Sequence, residues 1–162
     1  MSTKILIGFD SSEESYRAFD FALNMAASLP APPEITVLSV VQHPGRLAGV
    51  DVSGLIDEAT AEFKVYFKTL EEKAKAANLR ISAEVAVGHP AEMIVRAAKE
   101  KGCQFVMLGS KRRSKIGRLI LGSVSRHVAS RAHCNVILVK KGLEPAPELW
   151  YPNGAIVSPA AL

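Results

Sequence analysis

Apolar and polar positions along this chain switch repeatedly between two periods, and each switch marks an element. Residues 5–9 are a short apolar run closed by Asp10, Ser11 and Ser12, side chains suited to a turn and a helix cap. Tyr16, Phe19, Leu23, Ala26 and Leu29 then recur every three or four residues, the spacing of one apolar helix face, which must end before Pro30. Residues 35–41 form a near-continuous apolar run, as suits a strand covered on both faces. Residues 42–53 lose periodicity and hold Pro44, Gly45 and Gly49, which predicts a loop. The longest helix is expected over residues 55–77, with Ile56, Ala59, Phe63, Tyr66, Phe67, Leu70 and Ala74 as its buried stripe.

Asn78 ends that helix, and the alternation over residues 79–87 has the period of a strand with one wet face, which predicts a sheet edge. Gly88, His89 and Pro90 open a third helix that Gly102 closes. A buried strand follows over residues 105–108, then a glycine-rich basic stretch, then a helix from Val124 to Ala132 with Ser123 as its expected cap, then a strand over 136–139. Strands and helices alternate throughout. That order predicts an α/β domain: a five-stranded parallel sheet, doubly wound, with helices on both faces.

With 162 residues and 48% apolar content, the chain has material for one sizeable core. Residues 1–141 are expected to be that domain, and residues 142–162, with four prolines around Trp150 and Tyr151, an irregular tail. No apolar run has the length of a membrane span, and Ser2, Thr3 and Lys4 lead straight into a strand, so a cytoplasmic protein is expected. Cys103 and Cys134 lie beside apolar runs with no second cysteine or histidine at zinc spacing, and read as reduced packing residues.

Charge changes the picture at one place. Residues 104–141 hold nine Lys or Arg and no acid; against a total of +4, the rest of the chain is at −5. Positive charge this local points to an anionic ligand at one site. Lys111, Arg112, Arg113, Lys115 and Arg118 precede a helix start whose free N–H groups also attract anions. Gly109, Gly117 and Gly122 would let backbone approach a ligand closely or take positive φ. In doubly wound sheets ligands bind at the carboxyl ends of strands where strand order reverses. That rule selects Asp10 after the first strand, Val40 and Val41 at the end of the second, and the stretch from Gly109 onward after the fourth, Ser110 and Arg112 included. An acid at a base edge or ribose and a basic glycine loop at the phosphates make the geometry of a nucleotide site. His43 and Arg46, in the expected loop, are candidate phosphate contacts of little weight, since a loop histidine is more often simply exposed.

Other motifs are absent. Gly117 and Gly122-Ser123 have P-loop glycine spacing but no lysine before the hydroxyl. There is no G-x-G-x-x-G after the first strand, no G-x-S-x-G and no H-E-x-x-H.

Gly109-Ser110-Lys111-Arg112, nine residues, then Gly122-Ser123-Val124-Ser125 resembles the nucleotide-binding branch of the universal stress proteins, whose motif is Gly-x-x-Gly, nine residues, then Gly followed by Ser or Thr. The resemblance spans residues 4–140 and includes Gly8-Phe9-Asp10, Gly88-His89-Pro90 and Cys134-Asn135-Val136. It implies a Rossmann-like sheet of the adenine nucleotide alpha hydrolase type with strand order 3-2-1-4-5, a homodimer, and a regulatory role in stress survival. It implies ATP, or ADP or AMP, as ligand, with magnesium held by the phosphates. The contacts implied by position are Gly8, Phe9, Asp10, Val40, Gly109 and Gly122 to Ser125.

Arg112 stands where the family has its second glycine. If that position needs positive φ, the side chain costs on the order of 1–2 kcal/mol; if the guanidinium turns inward, it grips phosphate as a fork. Asn135 stands where relatives often have proline. Residues 136–139 would leave a bare apolar edge in a monomer, so a homodimer pairing the fifth strands is expected. The alternative function is a nucleotide-free dimeric scaffold whose basic loop binds a partner protein. Nucleic acid ranks lower because no aromatics interleave the basic run, and slow ATP hydrolysis would have Asp10 and Asp51 as its acids.

Overall fold

The computed structural model describes residues 2–43, 52–110 and 122–141. Their elements are β1 (Lys4–Gly8), α1 (Glu13–Ala27), β2 (Glu34–Val41), α2 (Val52–Ala76), β3 (Ile81–Val87), α3 (Pro90–Lys101), β4 (Phe105–Gly109), α4 (Ser123–Arg131) and β5 (Asn135–Val139). The strands form one sheet in the order β3-β2-β1-β4-β5, with every neighbouring pair parallel. β1 is central, aligned with β2 at Ile5 and Ile35 and with β4 at Ile5 and Phe105.

Side-chain alternation in the strands divides the core into two layers. Ile5, Ile7, Ile35, Val37 and Met107 face α1 and α2, where Phe19, Leu23, Phe67 and Leu70 meet them. Leu6, Leu38, Val106 and Leu108 face the other way, against Ile94 and Ala98 of α3 and Val128 of α4. β3 is an edge strand, and its period of two reflects this: Ile81, Ala83 and Val85 pack on the first layer while Ser82 and Glu84 are exposed.

The helix ends follow local chemistry. Ser12 caps α1, its Oγ accepting the Ser15 N–H at 3.2 Å, and Glu13 and Glu14 stand in the positive first turn. α3 starts with Pro90 after His89 and stops at Gly102, whose φ of 65° is left-handed. At α2 the same stop uses Asn78 at φ 58°, with Asn78 N–H to Lys75 O at 3.0 Å and Leu79 N–H to Ala74 O at 2.9 Å. This paired bond pattern seats the next residue against the helix. It explains why β3 begins at Ile81 rather than at 79: Leu79 is buried as the hydrophobic contact of the helix end. Cys103 has the same part at α3, where its N–H reaches Ala98 O at 2.9 Å.

Two boundaries differ further from the sequence pattern. α2 begins at Val52 instead of 55, so Val52 and Ser53 of the expected loop are helical. α4 begins at Ser123, which is therefore its first helical residue and not its cap; Gly122 is the cap, and its carbonyl accepts the Arg126 N–H at 3.0 Å. Pro44, Gly45, Arg46, Gly49, Asp51, the basic stretch 111–121 and the tail with Trp150 and Tyr151 lie outside the described residues. No helix among the described residues is long and apolar enough to cross a membrane.

Candidate functional site

Strand order reverses between β1 and β4, because β1 leads across the sheet to β2 on one side while β4 and β5 lie on the other. A crevice is expected beyond the carboxyl ends of those strands. A cavity of about 470 Å³ lies there. The ends of β1, β2 and β4 form its floor, and the first turns of α1, α3 and α4 form its walls.

Nine of the residues selected from sequence line this cavity. Gly8, Phe9 and Asp10 come from the end of β1, Val40 from β2, Gly109 from β4, and Gly122, Ser123, Val124 and Ser125 from the start of α4. Ser110 is not part of the lining. It is 3% exposed, and its N–H bonds to Val139 O at 2.9 Å, so its backbone continues the pairing of β4 with β5. Its Oγ is buried without a hydrogen-bond partner among the described residues. Arg112, with Lys111, Arg113, Lys115, Gly117 and Arg118, lies outside the described residues.

At Gly109 the reason for glycine differs from the one expected. A Cβ on Gly109 would overlap the backbone carbonyl of Glu14, and one on Gly8 would lie 2.5 Å from Leu108 Cδ2. Gly109 is therefore glycine because protein backbone packs on it, whereas at Gly8 the end of the Leu108 side chain would have to shift. Neither Gly109 nor Gly122 has positive φ: Gly122 has φ −59° and ψ 160°, backbone that any residue adopts. A Cβ on Gly122 meets nothing within 4 Å among the described residues, and Gly122 itself borders the cavity. Of these three, Gly122 is where a side chain would occupy ligand space instead of colliding with the fold.

Phe9 is committed to the core. Its ring stands edge-on to Tyr16 at 5.0 Å and packs against Tyr66 at 6.4 Å, leaving main chain as what it offers the cavity. Asp10 is held by Ser12, whose N–H donates to Asp10 Oδ1 at 3.1 Å and whose hydroxyl donates to the same oxygen. Between them Ser11 has φ 61°. A non-glycine residue there is strained, and the side-chain turn closed by Asp10 is what holds it.

The start of α4 has the strongest electrostatic character. Arg126 makes the first intrahelical bond, so helix geometry leaves the N–H groups of Ser123, Val124 and Ser125 without an intrahelical acceptor. Among the described residues no side chain caps this end, and no acid stands in its first turn. α1 contrasts with it in both respects, having a serine cap and two glutamates. The uncapped turn opens into the cavity, where unpaired N–H groups and the helix dipole favour an anion. Leu38, Val40, Pro90, Ile94 and Leu108 give the cavity an apolar side, and Asp10, Ser12 and Ser15 add polar groups opposite α4.

The family model described as Universal stress protein family matches residues 1–140 of this chain. The chain belongs to the universal stress protein family. It is 36% identical over 154 residues to universal stress protein YxiE of Bacillus subtilis (strain 168), which spans 86% of this chain and 100% of that protein. It is similar in structure to universal stress protein UspA from Lactobacillus plantarum, with TM-score 0.73 and 26% identity over 85% of this chain and 97% of that one. A universal stress protein solved in complex with cAMP is 25% identical, with TM-score 0.64 and 86% and 97% of the two chains covered. The five-stranded parallel order seen here is thus a universal stress protein sheet.

Several lining residues were not selected from sequence. Ser12 read as a turn and helix cap, Pro90 as the proline of a first helical turn, and Leu38 and Leu108 as parts of buried strands, because each also fills that role; Ile94 carried no signal of its own. Leu38 was nonetheless accessible, since it lies two positions before Val40 and a strand shows both residues on one face. Gln42 and Ser15 carried no distinguishing signal; Gln42 is exposed at the mouth of the cavity and Ser15 is 3% exposed within α1.

Proposed function

We propose that this protein binds an adenine nucleotide, ATP with ADP and AMP as the shorter alternatives, and acts as a regulator in the stress response. The observation that carries the reading is the uncapped first turn of α4 opening into a partly apolar cavity at the sheet's switch point. The phosphates take the N–H groups of Ser123, Val124 and Ser125 and the positive charge of the basic sequence 109–118, with Ser110 and Arg112 among its residues. The nucleoside lies towards Val40 and Asp10, against Leu38 and Ile94. Magnesium accompanies ATP through the phosphates. The structural relative with cAMP bound supports an adenine nucleotide as the ligand class.

The proposal includes a cytoplasmic homodimer. β5 is the second sheet edge, and its Val136, Ile137 and Leu138 are half-buried in one chain. Pairing this edge with a second copy removes unpaired backbone and apolar surface together. Sedimentation is expected to give a dimer at micromolar concentration, and a stable monomer there removes that part of the proposal.

Calorimetric titration with ATP, ADP, AMP and adenosine, alongside mass spectrometry of ligand released from natively purified protein, tests the function. Binding is expected to strengthen with the phosphate chain. No binding of any of the four leaves the second reading, a nucleotide-free dimeric scaffold whose basic loop docks a partner protein; Arg112 in place of the motif glycine is the feature that favours it.

A further inference from the structure

We propose that His89 and His127 form a binding site for one divalent transition-metal ion of the zinc, nickel or copper class, joining α3 to α4. The rings lie with centroids 6.1 Å apart and planes inclined at 43°. A zinc-bound imidazole nitrogen sits about 2.0–2.1 Å from the metal, and the nitrogen is about 1.2 Å from its ring centre, so two rings sharing an ion have centres up to about 6.5 Å apart. The observed separation is inside that limit, which belongs to nitrogens on opposite sides of the ion; at the tetrahedral angle the centres stand about 5.3 Å apart, so a turn of either side chain about its bonds has to close the remaining distance.

Both rings stand on fixed backbone. His89 is the residue before α3, with φ −81° and ψ 121°, and Pro90 confines it to that extended region. His127 sits within α4, four residues after Ser123, and the two helices share the core built on Ile94, Ala98 and Val128. Little ordering remains to oppose binding, since the roots of both ligands are already placed. Neither imidazole has a hydrogen-bond partner among the described residues, and His89 makes no cap bond to α3. His89 is exposed and His127 half-buried, which leaves an ion access.

The donors choose the metal. Imidazole nitrogens suit zinc, nickel and copper, whereas magnesium and calcium require oxygen. No group of three or more His, Cys, Asp or Glu able to hold a metal occurs among the described residues, so water completes the shell. The ion would tie together two walls of the cavity, because Pro90 and Ile94 of α3 and the first turn of α4 both line it. The site itself does not rest on the nucleotide reading.

The experiment is calorimetric titration of the metal-free full chain with zinc chloride, and separately nickel chloride, without nucleotide. One ion per chain is expected, with H89A and H127A each weakening it at least tenfold and H133A leaving it unchanged. His133 is the control because it lines a separate cavity with Cys103 and Cys134. A measurement on wild type needs no variant to fold: nickel should broaden the ring-proton resonances of His89 and His127 before those of His43 and His133. Binding unchanged in both H89A and H127A, first broadening at His43 or His133, or neither heat nor broadening up to about 1 mM nickel would overturn the proposal.

Discussion

Gly122 separates the fold from the ligand more cleanly than any other position in the cavity. Its φ of −59° and ψ of 160° accept any side chain, and a Cβ there meets nothing within 4 Å among the described residues. Gly122→Val should therefore fold. Its cost is that of a poor cap in place of a tolerable one, about 1 kcal/mol, which lowers Tm by roughly 2–4 °C in a domain of this size. Gly122→Ser should change stability by only a few tenths of a kcal/mol, since serine is a preferred cap. Both variants place atoms where the proposed phosphates approach Ser123, Val124 and Ser125. A hydrogen bond to a charged group contributes about 1.5–3 kcal/mol; losing one or two such bonds, about 3 kcal/mol in all, weakens ATP by roughly a hundredfold at 1.4 kcal/mol per factor of ten. Serine should lose less, about tenfold, its hydroxyl competing with phosphate for the same N–H groups. The assay is calorimetry with ATP and adenosine beside thermal unfolding of each variant. Adenosine should be almost unaffected, because it has no phosphate to displace. Wild-type ATP affinity in Gly122→Val would refute the placement of the phosphates, and failure of that variant to fold would refute the steric argument.

Arg112→Gly distinguishes the two roles of that side chain: tighter ATP binding shows an obstruction, and weaker ATP binding with adenosine unchanged shows a phosphate grip, both read by the same titration. Gly109→Ala should destabilise by about 1–3 kcal/mol through overlap with the Glu14 carbonyl, measured by urea unfolding, and an unchanged midpoint would contradict the packing assigned to it. Burial raises the thiol pKa of Cys103 and of Cys134 above the ordinary cysteine value, so both should react slowly with a disulfide reagent until the protein unfolds; rapid labelling of both in the folded state would contradict this. The same shift has a sign for stability: the folded state holds these protons to higher pH than the unfolded chain, so stability is full below the unfolded thiol pKa and declines as pH rises through the raised folded values. Alkaline unfolding of Cys103→Ala should show a shallower decline than wild type, and an identical pH slope would remove that attribution.

Most of this fold is legible in the sequence because its signals are local. Helix faces, strand periods, the start at Ser12 and the stops at Asn78 and Gly102 depend on residues within a turn of one another, and the edge position of β3 shows in its alternation. The alternating order of elements then allows few arrangements, and the motif around Gly109 and Gly122 points to one of them. The site was legible where chemistry and chain position coincide, as at Asp10, Val40 and the start of α4.

Tertiary structure alone decided why individual residues are there. Gly109 is glycine because of a carbonyl at Glu14, ninety-five positions away, and the Phe9 ring is turned into a layer made by Tyr16 and Tyr66. Ser110, in the middle of the motif, extends the pairing of β4 with β5 and does not line the cavity. Leu38 and Leu108 read as core and are core, yet their ends also wall the cavity, since a strand end faces packed helix at one point and open space a residue later. Periodicity states that a side chain is covered. Whether protein or ligand covers it depends on how remote elements meet, and that is a property of the packed sheet and helices rather than of any stretch of sequence.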